Sequence, residues 1–165
     1  MRRGQVVLVD TNIIIEAVRT HCWNALTTHF NVETVEKCVE EARTGDPMRR
    51  NHVPVEARDL QRVSKIHAVP ASAVARLAVA LQMANELDVG ERHLFAHALG
   101  RSDAWIASCA DRAALKVAFA LEWKDRMVSL ESLAGSAGAR PRLKNHFLER
   151  WMSDVRTAFL LEQGL

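Results

Sequence analysis

Apolar and polar positions recur along this chain at two spacings, one suited to strands and one to helices. Val6-Val7-Leu8-Val9 is a short continuous apolar run, rich in β-branched residues. That is the pattern of a strand buried on both faces inside a parallel sheet. Asp10-Thr11-Asn12 closes the run, and Ile13 to about Arg19 reads as a helix with Thr11 or Asn12 as its cap. His21 to Phe30 reads as a second short helix or turn. Val32, Val35, Val39 and Ala42 share one face at helical spacing, so a helix is predicted from Val32 to Ala42. Thr34 lies near its start and Gly45 at its end. Residues 46–56 are polar, carry Pro47 and Pro54, and read as a long loop. Ala57 to Ile66 fits either a weak strand or a short helix.

Ala71 to Glu86 is rich in Ala, Leu and Val and predicts a helix entered through Pro70 and Ser72. Asp88-Val-Gly-Glu91 opens the next helix, which runs to Leu99 and stops at Gly100. Trp105 to Ala110 reads as a buried strand, again closed by an aspartate, Asp111, before a helix from Arg112 to Leu121. Met127 to Leu130 reads as a short last strand. A small-residue hinge (Ala134 to Ala139) and Pro141 precede an amphipathic helix from about Asn145 to Glu162. Its apolar face carries Phe147, Leu148, Trp151, Met152, Val155 and Phe159. Strands alternating with helices predict an α/β fold: a three-layer arrangement of a parallel sheet between helices, plus the extra C-terminal helix.

At 165 residues the chain fits one globular domain with a sizeable core. A net charge of +2 is too small to argue for a nucleic-acid partner by itself. The basic residues do gather locally, in Arg49-Arg50 with His52 and in Arg140, Arg142, Lys144 and His146. Cys22, Cys38 and Cys109 have no CxxC spacing and read as small buried hydrophobes in a reducing compartment. Neither a signal peptide nor a membrane span is visible, so a cytoplasmic location is expected.

The candidate chemistry lies in the carboxylates. Strand–Asp–helix occurs twice, at Asp10 and Asp111. Two parallel neighbouring strands would deliver both acids to the same sheet edge, where open α/β folds bind ligands. Either aspartate can also serve as a helix cap. Glu91 is the third candidate, although Asp88 and Glu91 are spaced as a capping-box variant. Gly90 beside it would let backbone or substrate approach closely. The fourth lies among Glu33, Glu36, Glu40 and Glu41. Most of these form a solvated face, Glu36 and Glu40 share a side, and Glu40 is preferred. Facing carboxylates repel unless a cation binds. Mg²⁺ or Mn²⁺ suits an all-oxygen set and promotes in-line displacement at a phosphodiester.

These same segments resemble the PIN domain, a small metal-dependent nuclease fold. The likeness is carried by Val-Leu-Val-Asp10-Thr-Asn, by Leu87-Asp88-Val-Gly-Glu91 opening a helix, and by Ala110-Asp111-Arg112 after a hydrophobic strand. Met127 to Leu133 is similar to the closing segment of such domains. The resemblance covers roughly residues 5 to 134, which implies a PIN-like domain over 1–134 and a helical extension over 135–165, packed on the domain or on a dimer mate. It implies Asp10, an early helical glutamate (Glu40), Glu91 and Asp111 as metal ligands, with Asn12 in support. The implied activity is a Mg²⁺- or Mn²⁺-dependent endoribonuclease, of the kind that serves as a toxin with a small antitoxin protein. RNA and an antitoxin-like protein are the implied partners; a second copy of the chain is a further candidate, because the aromatic face of the terminal helix is too apolar to stay exposed.

Thr11 and Glu36 flank these positions as supporting residues. Asp103 reads as an auxiliary acid or a turn residue, and Arg112 as a phosphate contact or a surface charge. His93 and His97 lie four apart on one helix and read as surface or locally bonded groups rather than a metal face. The four tryptophans read as core or interface. Two other classes compete with the nuclease. One is a catalytically silent PIN-like module binding RNA or protein. The other is a phosphotransfer domain, ranked third because Asn12 stands where a second aspartate would be needed.

Overall fold

The computed structural model describes residues 1–44 and 53–164; the basic cluster Arg49-Arg50-His52 and most of the predicted loop lie outside them. Strand β1 (Val6–Val9) leads into α1 (Thr11–Arg19) and α2 (Trp23–His29). Strand β2 (Asn31–Val35) and α3 (Glu36–Thr44) follow, then α4 (Ala57–Leu60) and β3 (Lys65–His67). Helices α5 (Ala71–Ala80) and α6 (Val89–Leu99) precede β4 (Trp105–Ser108), and α7 (Arg112–Ala120), α8 (Leu130–Ser136) and α9 (Glu149–Glu162) complete the chain. The sheet order is β3-β2-β1-β4, and every pairing is parallel.

The apolar run of β1 sits centrally because alternate side chains feed different cores. Leu8 joins a cluster with Leu77, Leu94, Phe95, Leu115 and Phe119 from α5, α6 and α7. Val7 and Val9 join one with Ile13, Ile14, Trp23, Leu26, Leu130 and Leu133 from α1, α2 and α8. Helices therefore cover both faces, giving the three-layer α/β architecture.

Several elements differ from their sequence reading. The helix expected over Val32 to Ala42 is a strand, Asn31–Val35, followed by a helix, Glu36–Thr44. Val32 and Val35 lie three apart and would share a helical face. In the strand they point to opposite sides, Val32 into one cluster and Val35 into the other. The ladder offered by β1 overrides helical spacing here, and Thr34 Oγ1 adds a 2.7 Å bond to the Val9 carbonyl. The undecided stretch Ala57 to Ile66 supplies both a helical turn, α4, and most of the edge strand β3. The helix expected over Ala71 to Glu86 breaks at Leu81, where φ is −150°, and resumes as a 3-10 turn over Gln82–Glu86.

The last strand is reduced to a single bridge between Ala107 and Met127, because Ser129 caps α8 almost at once. The first half of the expected hinge is the end of α8. The helix ends in a Schellman turn, with Gly138 at φ +78° and the Ala139 N–H donating to the Ala134 carbonyl. The C-terminal helix begins at Glu149, after a 3-10 turn at Asn145–Phe147. It packs on its own domain: Met152 and Val155 enter the α5–α6–α7 cluster, and Phe159 meets Phe119 edge to face at 5.5 Å.

Cys22, Cys38 and Cys109 are free and buried, as their apolar surroundings suggested. Trp23 and Trp105 are buried, while Trp123 and Trp151 pack against the core. Among the described residues, no helix is long and apolar enough to cross a membrane.

Candidate metal centre at the strand ends

Because β1 and β4 are parallel with Val9 opposite Ser108, the chain leaves both strands at the same edge. Asp10 and Asp111 emerge there, and both are helix caps. Asp10 Oδ1 accepts from the Ile13 N–H at 2.8 Å, so the α1 cap is Asp10 rather than Thr11 or Asn12. Asp111 Oδ1 accepts from the Ala113 and Ala114 amides at 2.7 and 3.0 Å. Asp88 Oδ1 caps α6 through the Glu91 N–H at 2.9 Å.

Capping and ligation are not exclusive, since a cap occupies one oxygen of each carboxylate. Asp10 is 1 % exposed, and its Oδ2 is buried with no hydrogen-bond partner. Glu91 is 4 % exposed, and its Oε1 is likewise orphaned. The Glu91 side chain does not reach back to close a capping box; only the Asp88 half is made. Native proteins leave few such atoms unsatisfied, and each calls for an explanation.

The electrostatics follow from that isolation. Burial, reinforced by the charges of Asp88 and Asp111, raises the Asp10 pKa from 3.8 to about 7. Burial and the charges of Asp10, Asp88 and Asp111 raise Glu91 from 4.5 to about 9. No ion pair reaches either group among the described residues. Burial and the neighbouring Asp10 also push the Cys38 thiol up to about 12, which holds it protonated and unreactive.

The early helical glutamate that faces this edge is Glu41, not Glu40. Glu41 Oε2 accepts from Thr11 Oγ1 at 2.7 Å, and its Oε1 accepts from the Gly90 N–H at 2.8 Å. The carboxylate thus bridges α1 and α6 beside Asp10 and Glu91. Gly90 makes this approach feasible: a Cβ there would collide with the Glu41 carboxylate. Glu40 lies on the exposed side of α3, paired with Lys37 at 2.6 Å. Glu36 is exposed too and lines an open groove with Glu40, Arg43 and Ile66. One residue is 100° of helix, which is enough to turn a side chain from crevice to solvent.

Of the other expected residues, Thr11 has a role, as the donor that holds Glu41. Asn12 is exposed, without a side-chain hydrogen bond among the described residues. Asp103 precedes β4 and so lies at the opposite strand end, in a bidentate pair with Arg101 (2.6 and 2.8 Å). Arg112 is exposed at the start of α7, where its charge acts on Glu162. Asp88, read from the sequence only as a cap, contributes negative potential to both orphaned acids.

The donor set is all oxygen, buried at Asp10 and Glu91 and half-buried at Glu41 and Asp111, and short of positive charge, which fits a hard divalent cation. No three of these carboxylates bring their oxygens within 4.8 Å of one another. The one such group among the described residues is Glu33, His67 and His97, elsewhere in the fold. A cation at the strand ends would therefore keep bridging water, as Mg²⁺ usually does. The chain matches no protein-family model, and neither curated proteins nor solved structures match it at a significant level.

Proposed function

We propose that the chain is a Mg²⁺- or Mn²⁺-dependent endoribonuclease of PIN type, with Asp10, Glu41, Glu91 and Asp111 around the metal. The reading rests on one observation above all: two buried carboxylates with unpartnered oxygens, Asp10 at the end of β1 and Glu91 in the first turn of α6, repel each other beside Asp111, and among the described residues no basic side chain pairs with either. RNA as substrate and an antitoxin-like protein as partner come from the resemblance of the Asp10, Glu91 and Asp111 segments to that family. A cytoplasmic location suits three free, buried cysteines.

The metal, when bound, would lower the pKa of a bound water and neutralise charge developing on the phosphodiester. The protein's own part is positioning and proton balance. Helix caps hold Oδ1 of Asp10 and of Asp111 and leave the other oxygen of each uncommitted by the cap. Thr11 and the Gly90 N–H hold Glu41 in place. Glu91 and part of Asp10 carry protons near neutral pH and must release them as a cation binds. The bond broken is one P–O ester bond, with water as the attacking group.

Thermal unfolding with and without Mn²⁺ and Mg²⁺ tests this reading in the wild-type chain and in Asp10→Asn. A folded-state metal site gains stability as RT ln(1 + [L]/Kd), and the variant should lose most of that gain. A wild-type chain that ignores both metals makes Asp10 and Asp111 caps only, and transfers the reading to a silent RNA- or protein-binding module.

A further inference from the structure

A second polar cluster lies on the α5–α6 side of the sheet. Glu33 projects from β2, His67 from the edge strand β3 and His97 from the last turn of α6. In register Glu33 pairs with Lys65 and Val35 with His67, so Glu33 and His67 are diagonal neighbours on one face. The His67 and His97 rings stack at 3.9 Å. The ligand atoms of all three residues lie within 4.8 Å of one another.

A cation already sits among them. Arg101 Nη1 is 2.6 Å from Glu33 Oε2 and 3.0 Å from His97 Nε2. A guanidinium can only donate, so His97 Nε2 must accept, and its lone pair points at the cation position. That is the tautomer a metal ion requires. His67 donates from Nε2 to Glu33 at 2.7 Å and on coordination would carry its ring proton on Nδ1 instead, staying a neutral imidazole.

Arg101 has somewhere to go. Its Nε and Nη2 form a bidentate pair with Asp103, whose side chain is half exposed. When a metal takes its place at Glu33 and His97, the Asp103 carboxylate remains as a partner for the guanidinium. A cavity of about 170 Å³ adjoins the cluster, bounded by Val69, Pro70, Arg76, His97 and Arg101.

We propose that Glu33, His67 and His97 form a site for a borderline divalent transition metal, Zn²⁺ foremost, in which the metal replaces the Arg101 guanidinium. Two imidazoles and a carboxylate with an open fourth position are a zinc donor set. Nitrogen ligands favour Zn²⁺, Co²⁺ or Ni²⁺ over the Mg²⁺ and Mn²⁺ suited to the strand-end oxygens. The site ties β2 and β3 to α6, the helix that carries Glu91.

The test is Co²⁺ titration of the metal-free full chain, followed by visible d–d absorption and displacement with Zn²⁺. The wild-type chain should develop the absorption of low-coordinate Co²⁺ and lose it to one equivalent of Zn²⁺. Arg101→Gln should bind at least about tenfold tighter, because apparent affinity is reduced by the fraction of molecules with a competent, vacated site. His67→Gln and His97→Gln should each weaken binding at least about tenfold, while Asp10→Asn leaves it unchanged and so separates this site from the strand ends. No such absorption in the wild-type chain overturns the proposal, whatever Arg101→Gln does. It is equally overturned by absorption that survives both histidine substitutions, and its disappearance in Asp10→Asn would then assign it to the strand ends. If a histidine variant does not fold, wild type against Arg101→Gln and Asp10→Asn still decides.

Discussion

Asp10 and Glu16 are six residues apart, are both almost fully buried, and have opposite electrostatic fates. Glu16 is 2 % exposed and accepts two hydrogen bonds from Arg19 at 2.6 and 2.7 Å, plus one from the Lys144 N–H at 3.0 Å. Burial pushes its pKa up, but those bonds and charges outweigh it, and the carboxyl lies below its ordinary value. Glu33 behaves alike, with Arg101 and His67 overcoming burial. Asp10 and Glu91 have no such partner, and burial wins. Depth therefore does not separate structural acids from candidate functional ones. Their unspent hydrogen-bonding capacity does, since a buried carboxylate without a cation is costly and persists where something else uses it.

The comparison breaks first at Asp10. Asp10→Asn should lower the proposed metal-dependent RNA cleavage at least about a hundredfold, while metal-free thermal stability stays level or rises because a repelling charge is gone. A fall in metal-free Tm as large as that of Glu16→Ala would make Asp10 a structural acid like the other. Glu16→Ala should cost about 2–3 kcal/mol, since it frees Arg19 and detaches the arm at Lys144. For a chain this long that is a Tm drop of about 4–12 °C, with the metal response intact. Gly90→Ala sets a Cβ against the Glu41 carboxylate, and overpacking of this sort costs about 1–3 kcal/mol; the metal-induced Tm gain should shrink with it.

The two kinds of acid also have opposite pH signatures. Folded Asp10 and Glu91 hold protons that the unfolded chain releases near pH 4, so metal-free stability should decline as pH rises through about 7 and on toward 9. Glu16 has a lowered folded pKa, so its contribution is present above the unfolded value and is lost as pH falls through the folded one. Chemical denaturation from pH 4 to 9 should show that alkaline decline in the wild-type chain and a shallower one in Asp10→Asn. An unchanged slope in the variant removes Asp10 from the account. The smallest expected effect separates neighbours: Glu40→Gln loses an exposed pair worth less than about 0.5 kcal/mol and leaves the metal response alone, whereas Glu41→Gln reduces it. Equal metal titrations for the two would reverse the assignment.

Much of this edge was legible in the chain. A β-branched run closed by aspartate, found twice, predicts two strands delivering two acids to one side, and both are there. Asp88-Val-Gly-Glu91 likewise predicts a helix start, because cap residues act over a few bonds. Glu41 was among the candidates but could not be told from Glu40, since α3 begins four residues later than its apolar spacing indicates. Misplacing that start hides which way each side chain turns. His67 gave no signal at all: it lies in a three-residue edge strand with little pattern of its own.

The sequence by itself determined what depends on short range: the strand runs, the caps Asp88 and Asp111, the alternation that demands a parallel sheet, and the apolar face of the last helix. Tertiary structure decided what depends on pairing across the chain. It turned Asn31–Val35 into a strand, because a parallel ladder with β1 satisfies backbone groups that a helix would otherwise satisfy internally. It also sorted the buried acids, giving Glu16 and Glu33 their arginines and leaving Asp10 and Glu91 with none. Desolvation and Coulomb terms depend on distance and burial, and neither is written in the order of residues.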